Sequence, residues 1–313
     1  MRAVIIEDGK LAIRERPDPI PGAGELLVRV RAAGLNTADL YQVRGGYPAP
    51  PGSPADIPGL DLAGEVVGTG PGVTRFEPGD RVMAVVGGGA QAELGLVHER
   101  VAMPVPATLS WPEAGGFPEV FTTAHDALFT QCGLQLGDRV LVHGAAGGVG
   151  SAAVQLAAAA GALVTATVRN PEHHRAVADL GAERVVFPDD LDGSGPFDLI
   201  LELIGAPNFP ANLEALATGG RISIIGTGAG AQIELDLHVL MTRRAKIVGS
   251  TLRPRPLEQK ADAARRVEAH VLPGVAAGRV RVPVAATYPL DQAEQAYERF
   301  RAGGKLGKIV LEP

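Results

Sequence analysis

The residues with the clearest capacity for chemistry are a set of glycines. In Arg139-Val-Leu-Val-His-Gly-Ala-Ala-Gly-Gly-Val-Gly150 an apolar run meets a glycine-rich turn, and the Ala-rich segment Ser151 to Ala160 comes next. The run reads as a short buried strand and the alanine segment as a helix. Strand, tight turn and helix in that order is the context a dinucleotide-binding fingerprint requires. Backbone N–H groups at the helix N-terminus, favoured by the helix dipole, would hold the pyrophosphate. Ala145, Ala146, Gly147, Gly148, Val149 and Gly150 would line it. Ala145 replaces the first glycine of the G-x-G-x-x-G pattern, so a plain glycine-rich turn stays open as the alternative.

The segment beyond the turn bears on the cofactor. A second strand-like run, Gly161-Ala-Leu-Val-Thr-Ala-Thr-Val-Arg-Asn170, ends about 20 residues beyond the glycines, where NAD enzymes place an acid on the ribose. This chain offers Arg169 and Asn170 there, with His173, His174 and Arg175 behind them. A carboxylate would repel a 2′-phosphate, whereas a guanidinium fork can bind one. The expectation is NADPH; the bland reading of Arg169 is a solvated loop arginine.

These residues need elements to carry them. Strand-like runs at Ala182–Phe187, Phe197–Leu203, Gly220–Ile225 and Ala245–Gly249 alternate with helical segments near Glu172–Leu180 and Phe209–Ala217. That alternation predicts a doubly wound α/β fold, a parallel sheet covered on both faces. Ligands of such sheets bind beyond the C-terminal strand ends, which adds Leu203, Gly205, Ile225, Gly226 and Thr227 to the expected cofactor contacts. The N-terminal third differs. Leu26, Val28, Val30 and Ala32 alternate with other residues as in a strand with one buried face. Recurrent Pro and Gly up to Pro106 suggest an irregular β-barrel. Helices near Leu257–Ala277 and Leu290–Ala302 and a last strand at Gly307–Leu311 close the chain.

Composition sets outer bounds. A chain of 313 residues suggests two domains. Hydrophobic content of 46% and a net charge of −6 describe an ordinary core with no electrostatic footprint for nucleic acid. No apolar run approaches membrane-spanning length, and the apolar patch at Met1–Asp8 is too short for a signal peptide. The single cysteine, Cys132, excludes intrachain disulfides and multi-cysteine zinc sites, and fits a reducing, cytoplasmic setting.

Several longer stretches carry a resemblance: Ala33-Gly-Leu-Asn-Thr-Ala-Asp39, Pro58-Gly-Leu-Asp-Leu-Ala-Gly-Glu-Val66 and its continuation, Phe76-Glu-Pro-Gly-Asp-Arg-Val82, the glycine loop, and the closing Gly307-Lys-Ile-Val-Leu311. With these the chain resembles the zinc-free, zeta-crystallin-like quinone-oxidoreductase branch of the medium-chain dehydrogenase/reductase superfamily, over essentially its whole length. The resemblance implies a GroES-like β-barrel catalytic domain built from both chain ends, residues 1–119 and 258–313. A Rossmann NADPH-binding domain, residues 120–257, would be inserted between them, with the active site in the cleft.

Zinc-containing relatives place a Cys where this chain has Asn36, a His where it has Leu60 and a Cys near Glu119, so the resemblance implies no catalytic metal. Without zinc to polarise a carbonyl, the acceptor should already be electron-poor, a quinone or a conjugated enal or enone. Asn36 would hold the nicotinamide ribose or orient the acceptor carbonyl. Tyr41 and Tyr47 match tyrosines that line the quinone pocket in relatives; packing for Tyr41 and loop anchoring for Tyr47 are the alternatives. Thr123 matches a position near the nicotinamide, or is a helix-capping hydroxyl. Lys308, in the closing motif, joins the cofactor contacts. No strong general acid stands out.

Two other functions stay open. One is a 2-alkenal or enoyl reductase; the other is a non-catalytic NADPH-binding protein with a structural or RNA-binding role, against which the acidic pI speaks mildly. A homodimer is expected through the strand near Ala245–Thr251, whose outer edge would otherwise stay unpaired, with Ile233–Leu240 adding apolar surface. The alternative is that the C-terminal helices cover that edge.

Overall fold

The computed structural model describes residues 1–191 and 193–313. The chain divides into two compact units, one formed by Met1–Thr122 with Leu252–Pro313 and the other by Thr123–Thr251.

The second unit holds a six-stranded, all-parallel sheet. In spatial order its strands are Arg184–Val186, Leu163–Thr167, Arg139–Val142, Phe197–Glu202, Leu216–Ile224 and Lys246–Gly249. Numbered by sequence this is the order 3-2-1-4-5-6 of the dinucleotide-binding Rossmann fold. The order of winding across the sheet reverses between Arg139–Val142 and Phe197–Glu202, and the glycine turn leaves the sheet there. Leu141, Ile200, Phe209, Leu216 and Ile222 pack as one core under the helices.

The first unit is built on the long strand Glu25–Gly34, which pairs antiparallel with Asp61–Thr69, Leu94–His98 and Lys308–Glu312. Arg81–Val85 and Met103–Pro104 extend the sheet on one side, and Val284–Pro289 lies parallel to Lys308–Glu312 on the other. Leu26, Val28, Val30 and Ala32 are buried, as the alternation predicts, and the first three pack with Leu62, Val66, Val82 and Val97. The C-terminal strand thus joins a sheet begun by the N-terminal third. This is the GroES-like architecture with an inserted Rossmann sheet.

Several element boundaries differ from the sequence expectation for identifiable reasons. The helix after the glycine turn runs Gly148–Ala159, so it begins inside the glycines. The expected helix at 257–277 is two, Leu257–His270 and Leu272–Ala276, because Pro273 has no N–H to donate to the Ala269 carbonyl and sits instead in the first turn of a new helix. The strand expected at Gly220–Ile225 begins at Leu216, with the preceding helix ending at Ala215. Ala182–Phe187 contributes only Arg184–Val186. The segment 172–180 is a 3₁₀ turn, Pro171–His173, followed by the short helix His174–Ala178. Its start is capped by Asn170, whose Oδ1 accepts the Glu172 N–H at 3.1 Å, while His174 Nε2 bonds the Val168 carbonyl at 3.0 Å.

Candidate functional site

On the second unit, every expected nucleotide contact of the sheet lies just past a C-terminal strand end. Residues 145–150 come after Val142, Arg169 and Asn170 after Thr167, Leu203 and Gly205 after Glu202, and Ile225, Gly226 and Thr227 after Ile224. These four strands are neighbours, so the residues gather along one edge of the sheet. The turn suits a close-approaching ligand. A Cβ at Gly150 would sit 2.4 Å from the Gly144 carbonyl oxygen and 2.7 Å from Ala145 Cα, so only glycine allows the helix to start against the strand. Gly205 has φ +125°, and a Cβ there would meet the Gly230 oxygen at 2.5 Å. Gly148, Val149 and Gly150 form the first turn of a twelve-residue helix, whose N–H groups have no intrahelical acceptor. This cradle fits the pyrophosphate of a dinucleotide.

Arg169 is exposed, and its side chain has no hydrogen-bond or ion-pair partner among the described residues. Asn170 spends its amide on the cap and on Glu172 Oε2, 3.4 Å away. Thr123 is buried in the interior of the helix Pro118–His125, not at a cap position.

Under this edge lies a group of buried polar residues that local pattern does not single out. His143, Thr167, Glu202 and Asn212 are all at most 2% exposed. His143 Nε2 lies 2.7 Å from Asn212 Oδ1, and Asn212 Nδ2 donates to Glu202 Oε2 at 2.7 Å. Glu202 Oε1 accepts from the Ile204 N–H at 2.6 Å and the Gly205 N–H at 2.8 Å. Burial pushes the His143 imidazole below its ordinary range, and the neighbouring Glu202 charge opposes this only in part. The one sequence signal is a polar residue at the end of an otherwise apolar core strand, which must find partners to be tolerated.

On the first unit, Asn36 precedes the helix Thr37–Val43, and its N–H donates to Asp39 Oδ2 at 2.8 Å, the backward half of a capping box. Its side chain is turned elsewhere. Nδ2 donates to the Gly34 carbonyl at 3.2 Å and to Asp61 Oδ2 at 3.0 Å, while Oδ1 accepts from Lys308 Nζ at 2.7 Å. Lys308 Nζ also bonds Asp61 Oδ2 at 2.8 Å, and Asp61 Oδ1 accepts the Glu119 N–H. Lys308 and Asp61 are 3% and 0% exposed at their side chains, so this is a buried ion pair. Two of the three Lys308 ammonium hydrogens are thus taken by Asn36 and Asp61.

Asp39 Oδ1 is buried with no hydrogen-bond partner among the described residues, and burial raises this carboxyl to about 7. Arg253 is a second buried cation, 4% exposed. It donates to the Gly87 carbonyl at 2.8 Å, the Tyr47 carbonyl at 2.8 Å and Gln42 Oε1 at 2.6 Å, and its guanidinium stands 4.9 Å from the Tyr47 ring. Tyr47 is half-buried under this clasp. Tyr41, 38% exposed, presents its ring to the surface. Leu60, at the position where zinc-containing relatives have a histidine, is core at 1% exposure. Among the described residues no group of three or more His, Cys, Asp or Glu is arranged to hold a metal ion. The donors around Asn36 are an amide, an ammonium and a carboxylate already paired to it, and such a set does not fit zinc. No helix among the described residues is long and apolar enough to cross a membrane.

Comparison with known proteins identifies the family. Residues 22–130 match the alcohol dehydrogenase GroES-like domain family, and residues 148–268 match the zinc-binding dehydrogenase family. The quinone oxidoreductase of Rattus norvegicus is 32% identical over 305 residues, covering 94% of this chain and 90% of its own. The acryloyl-coenzyme A reductase of Metallosphaera sedula is 30% identical over 344 residues, 99% of each chain. Among solved structures, a mycobacterial protein complexed with NADPH superposes with a TM-score of 0.88 at 29% identity, covering 100% of both chains. The chain belongs to the quinone-oxidoreductase branch of the medium-chain dehydrogenase/reductase superfamily and is an oxidoreductase.

Proposed function

We propose that this oxidoreductase is a zinc-independent NADPH:quinone reductase. The observation that carries the reading is the Asn36–Lys308–Asp61 cluster. Where metal-dependent relatives hold a thiolate, this chain has an amide locked by a buried ion pair. Lacking a Lewis acid, the site suits an acceptor whose reduced anion is delocalised by its own conjugation.

When bound, the reduced nicotinamide supplies the hydride. The protein's part is binding and orientation. Amides of Gly148 to Gly150 hold the pyrophosphate, and the unpaired guanidinium of Arg169 takes the 2′-phosphate. Both Asn36 amide hydrogens are spent on Gly34 and Asp61, and Lys308 occupies one lone pair of its oxygen. The side chain is left with an acceptor and no donor. That favours holding a ribose hydroxyl over polarising an acceptor carbonyl. Lys308 then acts through Asn36 as a positioning residue. The exposed Tyr41 ring offers a flat face for stacking, and Arg253 fixes the segment that carries Tyr47.

A second reading, reduction of a conjugated enal or enoyl thioester, is favoured by the acryloyl-coenzyme A reductase relative. Both readings are tested by steady-state turnover of quinone, enal and enoyl-thioester panels with NADPH and with NADH, before and after exhaustive chelation. Fast quinone turnover with NADPH that survives chelation is the expected result. Turnover lost on chelation and restored by zinc overturns the zinc-independent reading, and turnover confined to enoyl substrates selects the second.

A further inference from the structure

We infer that His143, with Thr167, Asn212 and Glu202, forms a one-directional hydrogen-bond chain that positions three nucleotide-facing loops as one rigid body; the inference rests on the nucleotide reading of the glycine turn.

The direction of the chain is set by which atoms can donate. Asn212 Nδ2 faces the Glu202 carboxylate, so Asn212 Oδ1 faces His143 and can only accept. The proton of the imidazole therefore sits on Nε2. The ring is neutral, because burial opposes its charging, so Nδ1 carries a lone pair. Thr167 Oγ1, 3.2 Å away, donates its hydroxyl proton to that lone pair and is left to accept. It takes the Gly144 N–H, at 3.3 Å. At the far end, Glu202 Oε1 gathers the Ile204 and Gly205 N–H groups and the Asn208 amide at 3.3 Å. From Gly144 to the Glu202 carboxylate every hydrogen points the same way, toward the loop after Phe197–Glu202.

The loops so joined come from three strands. Gly144 opens the pyrophosphate turn, and Thr167 ends the strand that presents Arg169, its carbonyl also taking the Ala145 N–H at 3.1 Å. Ile204 and Gly205 open the third loop. A dinucleotide bound along this edge meets donors already set in place, so little ordering cost falls on binding. A chain of this kind also tolerates no substitute that lacks both a donor and an acceptor, since a buried polar atom left unpaired is costly.

Thr167→Val keeps the side-chain volume and removes the hydroxyl that joins Gly144 to His143. His143→Gln keeps a donor where Nε2 stands, facing Asn212, and His143→Leu removes both links. NADPH affinity of the full chain is measured by nucleotide fluorescence, with KM and kcat for a quinone and thermal midpoints in parallel. The expected result is a rise of about ten- to a hundredfold in Kd and KM for NADPH in Thr167→Val and His143→Leu, exceeding any fall in kcat. His143→Gln should recover part of the loss. Folded variants with the wild-type affinity overturn the inference, as does a fall in kcat at unchanged KM. If the unmodified protein itself binds neither NADPH nor NADH, the nucleotide reading fails, and the inference with it.

Discussion

The buried pair of Lys308 and Asp61 gives the sharpest quantitative expectation. Lys308→Met preserves most of the side-chain volume but leaves the Asp61 carboxylate, fully buried, with only the Asn36 Nδ2 and Glu119 N–H groups to face it. Removing one partner of a buried pair costs about 3–5 kcal/mol, because the remaining charge keeps its desolvation penalty. For a unit of this size each kcal/mol lowers the midpoint by about 2–4 °C, so the transition should fall by roughly 6–20 °C. Asp61→Asn alone strands the ammonium and should cost a similar amount. The double variant behaves differently. An amide at 61 can donate to Asn36 Oδ1, the acceptor that Lys308 vacates, and no unpaired charge is left. It should therefore be more stable than either single variant, with a coupling energy of several kcal/mol, above the roughly 0.5–3 kcal/mol usual for neighbours. Denaturant unfolding of all four proteins closes the cycle. A Lys308→Met cost below about 1 kcal/mol, the range of solvated pairs, or costs that simply add, would refute the buried-pair reasoning.

Four further expectations can be checked separately. Arg169→Ala should weaken NADPH binding about ten- to a hundredfold and leave NADH nearly unchanged; equal affinity of the unmodified protein for both nucleotides counts against the assignment. Arg253→Lys cannot reproduce three hydrogen bonds from one planar group, so KM for quinone should rise by about tenfold or more, and an unchanged KM would show that Tyr47 holds its place without the clasp. Asp39 is raised to about 7 from 3.8 by burial, so the folded state binds the extra proton between those values and stability falls as pH rises through that window. At about 1.36 kcal/mol per pH unit the loss is capped at roughly 4 kcal/mol, and Asp39→Asn should flatten the stability–pH curve there; a curve unchanged by the substitution excludes Asp39 as its source. A homodimer is expected through Lys246–Gly249, the end strand of its sheet, which follows in the chain a helix whose Leu237 and Met241 stand 65% and 71% exposed; light scattering giving 32.3 kDa rather than twice that would refute it.

Local pattern made much of this fold legible. The apolar run at Arg139–Val142, the glycines after it and the strand–helix alternation point to the parallel sheet, because a strand buried on both faces must be apolar throughout and a turn against a helix must lack side chains. Period-two alternation from Leu26 to Ala32 marked a barrel strand in the same way. Boundaries were less legible. The helix begins at Gly148 because tertiary packing overrides the low helix propensity of glycine, and Leu216 joins the strand because it pairs with Phe197 ahead of the regular register.

The polar interior was legible only as residue types, and the reason is separation along the chain. Asn36 meets Lys308 across 272 residues, Asp61 meets Lys308 across 247, and Gln42 meets Arg253 across 211. A hydrophobic stripe announces itself every two or four residues, but a hydrogen bond between segments far apart in the chain leaves no period. The visible signal is a charge where the surroundings are apolar: Asp61 beside Leu60 and Leu62, Glu202 after Leu199–Leu201, Lys308 before Ile309–Leu311. Each such charge has to be answered by another group, since an unpaired buried charge costs more than one domain's margin of stability allows. For Asp61 and Lys308 the answer comes from a distant segment, and both these charges and Glu202 lie under or beside a loop that the proposed ligands would touch. Buried polar pairs contribute little net stability compared with apolar packing. Their concentration at these loops is therefore better explained by positioning than by stability, and a hydrophobic replacement that stabilises the Asp61–Lys308 cluster while abolishing turnover would be the direct demonstration.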